Sequence, residues 1–152
     1  MEEDDFNTTL SLTSPNFGND SELPKQFSNQ GHNVNPTLKI SNVPNGTKKL
    51  ILLFDSIEED ALSKSHWVLY DIDPETRVIE QGFIPKGSKL GINSFNEKKY
   101  HGPEIGPHKK QYFFKLYAVD QEISFDENTT KEDIELEIGG CILDSTNLIC
   151  WY

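Results

Sequence analysis

The sequence predicts a mainly β domain, a β-sandwich of two antiparallel sheets with one helix in the C-terminal region, and three observations carry that expectation. Apolar, β-branched and aromatic residues gather in short runs at Leu50–Phe54, His66–Ile72 and Gln111–Val119, as pleated and half-buried strands favour. Clusters of Gly, Pro, Asn and Asp punctuate the chain between them. A single segment, Thr130-Lys131-Glu132-Asp133, resembles the capping box that opens a helix.

In chain order, residues 1–7 read as a frayed acidic tail and residues 8–152 as one domain. Thr8 to Thr13 alternates and reads as a first strand. Ser14 to Pro36 is a long loop rich in Asn, Ser, Gly and Pro, and a loop of that length in a compact domain is expected to be functional or locally packed. Thr37 to Ser41 is a short strand, followed by a turn at Val43-Pro44-Asn45-Gly46-Thr47. Lys48 to Phe54 is almost continuously apolar, the pattern of a strand buried on both faces, and it ends at Asp55.

His66 to Ile72 is the next strand, closed by Asp73-Pro74-Glu75-Thr76. An irregular stretch with Gly82, Pro85, Gly87 and Gly91 leads to the strand Gln111–Val119, interrupted only by Lys115. After the capping box, Ile134, Ile138, Cys141 and Ile142 share one helical face, while Gly139-Gly140 favours an earlier end. Leu148 to Tyr152 is a last strand or a packed tail.

With 152 residues the chain can bury a single core. Its apolar runs are too short to span a bilayer as helices, and the acidic N-terminus lacks the features of a secretory signal, so a soluble cytoplasmic protein is expected. A formal net charge of −11 argues against nucleic acid, whose phosphates are bound by neutralising them. Arg77 is the one arginine, so bidentate guanidinium clamps are scarce. Cys141 and Cys150 lack metal-ligand spacing and are expected to be free thiols. Four Asn-x-Ser/Thr triplets, at Asn7, Asn19, Asn45 and Asn128, read as turn-rich composition.

Polar residues at the ends of apolar runs suggest a small pocket. Strand ends could gather Asp55, His66 and Tyr112, with Gly102-Pro103 beside them, although these lie far apart in sequence. A carboxylate, an imidazole and a phenol in one concavity can recognise an anion or move protons.

The ordered motifs resemble the phosphatidylethanolamine-binding protein family, also called Raf-kinase-inhibitor-like, and its short bacterial and archaeal branch most. The resemblance runs from about Leu10 to Tyr152. Asn33-Val34-Asn35-Pro36 and Val43-Pro44-Asn45-Gly46-Thr47-Lys48 are similar to the family's N-x-S-P and V-P-x-G-T-K segments. Phe54-Asp55 falls where its D-P-D-A-P motif starts, and His66-Trp67-Val68-Leu69-Tyr70 matches H-W-V-V-x. Tyr100-His101-Gly102-Pro103 matches Y-x-G-P, and Tyr112 to Val119 matches Y-x-F-x-x-Y-A-L.

The resemblance implies a sandwich with a small cavity for phosphate, phosphoryl headgroups or other anions, with Asp55, His66, Gly102, Pro103 and Tyr112 retained. Two departures stand out. Asp55-Ser56-Ile57-Glu58-Glu59 keeps only the first acid of D-P-D-A-P and neither proline, and Lys110-Gln111-Tyr112 replaces the family's H-R-Y. His108, Lys110 and Tyr112 are spaced by two, as residues on one face of a strand are. Lys110, helped by His108, is expected to replace the lost imidazole as cationic partner of an anion. His66 and Tyr112 are expected to donate hydrogen bonds to it, and Asp55 to orient His66 or bind a ligand ammonium.

No G-x-S-x-G serine, Cys-His pair, zinc spacing or cofactor motif is present. The expectation is a binding protein without turnover, for phosphate or a phospholipid headgroup such as phosphoethanolamine. The alternatives are a regulator docking a kinase or protease, with a vestigial pocket, and a hydrolase using Asp55 and His66. The resemblance leaves a homodimer open.

Overall fold

In a computed structural model that describes residues 9–58 and 62–152, the chain forms two sheets. β1 (Ser11–Thr13), β3 (Leu38–Ser41) and β6 (Val78–Ile79) make a three-stranded sheet in the order β1-β3-β6. The larger, six-stranded sheet contains β2 (Ser21–Glu22), β4 (Lys49–Ile57), β5 (Ser63–Ile72), β7 (Lys89–Leu90), β8 (Gln111–Val119) and β9 (Ile142–Trp151). Its order is β2-β9-β8-β4-β5-β7, antiparallel except for the short parallel pairing of β2 with β9. The helix α1 (Lys131–Ile138) lies between β8 and β9 in sequence.

Both faces of the larger sheet are covered, which is why β4 reads as a continuous apolar run. Leu50, Leu52 and Phe54 join Trp67, Leu69, Phe114 and Leu116 in the main core, toward the smaller sheet. Ile51 and Leu53 point the other way and pack with Val68, Tyr70 and Ile134 and Ile138 of α1. The period of two along a strand makes this division.

Several local expectations hold. Thr130 caps α1 by accepting from the Asp133 backbone N–H, while the Asp133 carboxylate accepts from the Thr130 N–H. The helix stops at Ile138, with Gly139 as its C-cap. Cys141 and Cys150 are free thiols. The long loop is locally packed, burying Phe17, Leu23, Phe27, Ser28 and Asn35 and containing β2 and a 3₁₀ turn at Lys25–Phe27.

Other boundaries differ. β1 spans Ser11–Thr13 rather than starting at Thr8, which lies outside the described residues, as do residues 1–7. β9 begins at Ile142, six residues before the expected Leu148, because β8 offers a ladder of partners from Val119 back to Gln111. Most important for function, β4 does not end at Asp55: it continues through Ser56 to Ile57, paired with Tyr112 on one side and Lys64 and Ser63 on the other.

Candidate functional site

The extension of β4 decides which face each polar residue takes. Asp55 has the parity of Ile51 and Leu53 and lies on the α1 face, whereas Ser56 has the parity of Phe54 and lies on the core face beside its cross-strand neighbour Tyr112. Asp55 is fully buried and its Oδ2 accepts from Lys131 Nζ at 3.0 Å, with Lys115 Nζ at 3.3 Å. Lys131 also donates to Ser63 Oγ. The structure therefore separates Asp55 from His66 and Tyr112 and makes it the carboxylate that ties α1 to the sheet. A buried carboxylate needs such partners, because desolvation without pairing costs several kcal/mol.

His66 reaches the core face through a β-bulge. Phe54 pairs with Trp67 and Asp55 with Ser65, so His66 is the extra residue and both it and Trp67 turn inward. Its ring sits edge-on to Tyr112 at 5.3 Å between centroids and to Phe95 at 5.2 Å. Backbone bonds fix it further: the His101 N–H donates to the His66 carbonyl at 2.9 Å, and His66 Nδ1 lies 2.7 Å from the His101 carbonyl.

That last contact sets the tautomer. A carbonyl oxygen can only accept, so Nδ1 carries the proton and, while the ring is neutral, Nε2 is an acceptor. Burial pushes the imidazole down from its ordinary 6.5 to about 4, against the opposing effect of the His101 carbonyl. In this neutral tautomer Nε2 presents an acceptor, where the sequence reading expects a donor.

Tyr112 is buried, and its hydroxyl is within hydrogen-bonding reach of the Glu104 backbone. Burial, with Glu58 nearby, raises its ionisation well above the ordinary range, so it remains a protonated phenol at neutral pH. The cluster's outer wall is a stack: His101 lies flat on Phe95 at 3.6 Å, and Lys64 Nζ stands 4.5 Å from the Phe95 ring centre. His101 is held between Glu97 at 3.0 Å and Glu104 at 3.1 Å.

Lys110 meets an acid that belongs to the chain. Its Nζ donates to Glu58 Oε1 at 2.9 Å, and Ser56 Oγ donates to Glu58 Oε2. Burial raises the Glu58 carboxyl, but the bonds from Lys110 and Ser56 and the charges of Lys110 and Lys64 outweigh it and leave the group below its ordinary value. A carboxylate thus lies where two donors and a second cation converge, beside Tyr112.

The other expected residues have different duties. The Gly102 N–H donates to Asn33 Oδ1 at 2.7 Å, and a Cβ on Gly102 would meet the Phe27 carbonyl oxygen at 2.5 Å. The Pro103 carbonyl accepts from the Asn29 N–H at 2.8 Å. Both residues clasp the loop before β3. His108 precedes β8 rather than lying on it, and lines a hollow of about 310 Å³ with Glu22, Ile105 and Tyr152. A hollow of about 450 Å³ lies against Trp67, Tyr100 and Phe83. Neither is lined by His66, Ser56 or Tyr112.

Sequence reasoning missed Ser56, Glu58, Lys64, Phe95 and His101. The period of two from Phe54 marks Ser56, and the same period from His66 marks Lys64. Phe95 sits in irregular backbone, where no such signal operates. Among the described residues no group of three or more His, Cys, Asp or Glu is placed to hold a metal ion. No described helix is long and apolar enough to cross a membrane.

A family model described as phosphatidylethanolamine-binding protein matches residues 13–152. A UPF0098 protein of Aquifex aeolicus is 33% identical over 150 residues, covering 94% of this chain and 88% of that protein. A UPF0098 protein of Methanothermobacter thermautotrophicus is 31% identical over 150 residues, covering 94% and 98%. The crystal structure of CT736 from Chlamydia trachomatis, described as a homologue of phosphatidylethanolamine-binding protein, superposes with a TM-score of 0.90 at 28% identity over 95% of this chain and 97% of that one. E. coli YbcL, at 20% identity, shares the fold with a TM-score of 0.85, covering 94% of this chain and 97% of its own.

Proposed function

The chain belongs to the phosphatidylethanolamine-binding protein family, and from that premise we propose that it is a non-catalytic binding protein for phosphate or a phosphoryl headgroup such as phosphoethanolamine. One observation supports the reading above the others: Lys110 and Ser56 converge on a carboxylate beside Tyr112, with Lys64 adding a second positive charge. Donors and charge arranged around a carboxylate suit the oxygens of a phosphoryl group equally well.

In this reading Lys110 supplies the charge, Ser56 a hydrogen bond, and the buried, protonated Tyr112 a polar wall. His66, neutral near pH 7, accepts from a protonated ligand oxygen. An ammonium stays charged throughout the neutral range, so binding depends less on pH than it would with an imidazole at the Lys110 position.

The test is a titration of phosphate and of phosphoethanolamine into isotope-labelled protein, following His66 and Tyr112, with Lys110→Ala as comparison. Saturable shifts that weaken at least tenfold in the variant, the scale of a charge-assisted bond, are expected. Unchanged affinity in Lys110→Ala removes the anion seat from the proposal. Silence at millimolar ligand of both proteins and of a variant without the Glu58 charge refutes the reading and turns the search to protein partners at the surface.

A further inference from the structure

The Glu58 side chain occupies the place that a ligand anion would need. Both of its carboxylate oxygens are engaged, one by Lys110 and one by Ser56, and its side chain is 24% exposed against 34% for Lys110. Its charge is felt by the two aromatic site residues, opposing ionisation of Tyr112 and favouring protonation of His66. The backbone around it is anchored on one side by the β4 pairing to Tyr112 and Lys64, and on the other by the Glu58 N–H, which donates to the Leu62 carbonyl at 2.9 Å. The carboxylate is presented by the end of a paired strand.

Resting on the anion-site reading above, we infer that Glu58 is an internal competitor: its carboxylate fills the anion seat, and a ligand binds only by displacing it from Lys110 and Ser56. Being tethered, the ionised carboxylate competes at a fixed, high local concentration whatever the concentration of ligand. The observed affinity is then the intrinsic affinity reduced by the fraction of time the seat stands open. Glu58 sets a threshold that weak or dilute anions do not pass. The groups that would govern the exchange are those around the carboxylate: the ammoniums of Lys110 ahead of β8 and Lys64 on β5, and the uncharged imidazole of His66 and phenol of Tyr112 on the core face.

The geometry also bounds the effect. Glu58 and Lys110 are each partly exposed, so solvent screens their attraction and the closed state is favoured only modestly. Two charge-assisted bonds in such a setting sustain a closed-to-open ratio of about ten, the equivalent of about 1.4 kcal/mol.

Two measurements with inorganic phosphate test the inference. The first compares the affinity of the unaltered protein with that of Glu58→Gln, which keeps the shape of the side chain and removes its charge. About tenfold tighter binding by the variant is expected, including the case where the unaltered protein binds too weakly to saturate. The second needs no variant: the Glu58 carboxyl carbon is titrated by NMR with and without saturating phosphate. Its pKa, held low in the free protein, is expected to rise when phosphate takes Lys110 and Ser56 away from it.

If the unaltered protein binds phosphate and Glu58→Gln binds it equally or more weakly, the competitor is overturned while the anion site stands. A Glu58 titration that ignores bound phosphate overturns it likewise. If neither protein binds phosphate, the anion site itself is wrong.

Discussion

Replacing Asp55 by alanine separates its structural duty from a ligand-binding one. The carboxylate is fully buried and Lys131 is 5% exposed at its side chain, so Asp55→Ala strands an ammonium inside the protein. Removing one partner of a buried pair costs about 3–5 kcal/mol. The lower end applies here: Lys131 keeps its bond to Ser63, and Lys115, at 23% exposure, can turn to water. A loss of about 3 kcal/mol lowers the melting temperature of a domain this size by roughly 6–12 °C. Urea denaturation at pH 7 measures it.

The double variant Asp55→Ala with Lys131→Met removes both charges and fills the space with an apolar chain of similar length. Neutralising a pair together is much cheaper than breaking it, so the two single losses should exceed the double loss by about 2 kcal/mol. Phosphate affinity should change little in either protein, since Asp55 faces α1. A single variant within about 0.5 kcal/mol of the parent, or one that loses phosphate binding while keeping its stability, would refute the assignment.

Two further outcomes follow from the site. His66 is held near pKa 4 when folded against 6.5 when unfolded, so between those values the unfolded chain takes up the proton first and stability falls as pH drops from about 6.5 to 4. The full loss is roughly 3 kcal/mol; histidine NMR should show His66 neutral down to about pH 4, and titration near 6.5 would contradict its burial. Gly102→Ala drives a Cβ to 2.5 Å from the Phe27 carbonyl oxygen and 2.9 Å from Asn33 Oδ1, both on the clasped loop. A cost of about 1–3 kcal/mol in urea denaturation is expected, and a neutral variant would mean the clasp yields.

Much of the fold was legible because burial on two faces leaves a mark in composition. β4, β5 and β8 are apolar enough to be read directly, and the capping box located α1 to the residue. The first half of β9, Ile142 to Asn147, was not legible. Its residues are polar or exposed, and its strand character comes from the β8 ladder rather than from its own side chains. The two-residue strands β2, β6 and β7 are likewise defined by their neighbours.

In the candidate site the same limit appears as a one-residue error. An apolar run that stops at Phe54 looks like a strand that stops there, and Asp55 then looks like a rim residue. The ladder continues to Ile57, and each further residue alternates sides, so Asp55 goes to α1 and Ser56 to the core face. The bulge at His66 is invisible to an alternating pattern, since its effect is to break that pattern.

The acidity of the chain acquires a specific meaning from these placements. Asp and Glu outnumber Lys and Arg by 25 to 14, yet three of the basic groups nearest the two polar centres are already engaged by internal carboxylates. Lys115 and Lys131 meet Asp55 on one face of the sheet, and Lys110 meets Glu58 at the end of the same strand. The first pairing is sealed, because its carboxylate is inaccessible to water and its release would leave charge buried. The second is partly open, because both partners reach solvent. One strand thus presents one carboxylate whose loss alone would strand a buried ammonium and another that the proposed anion would displace, and exposure decides which is which.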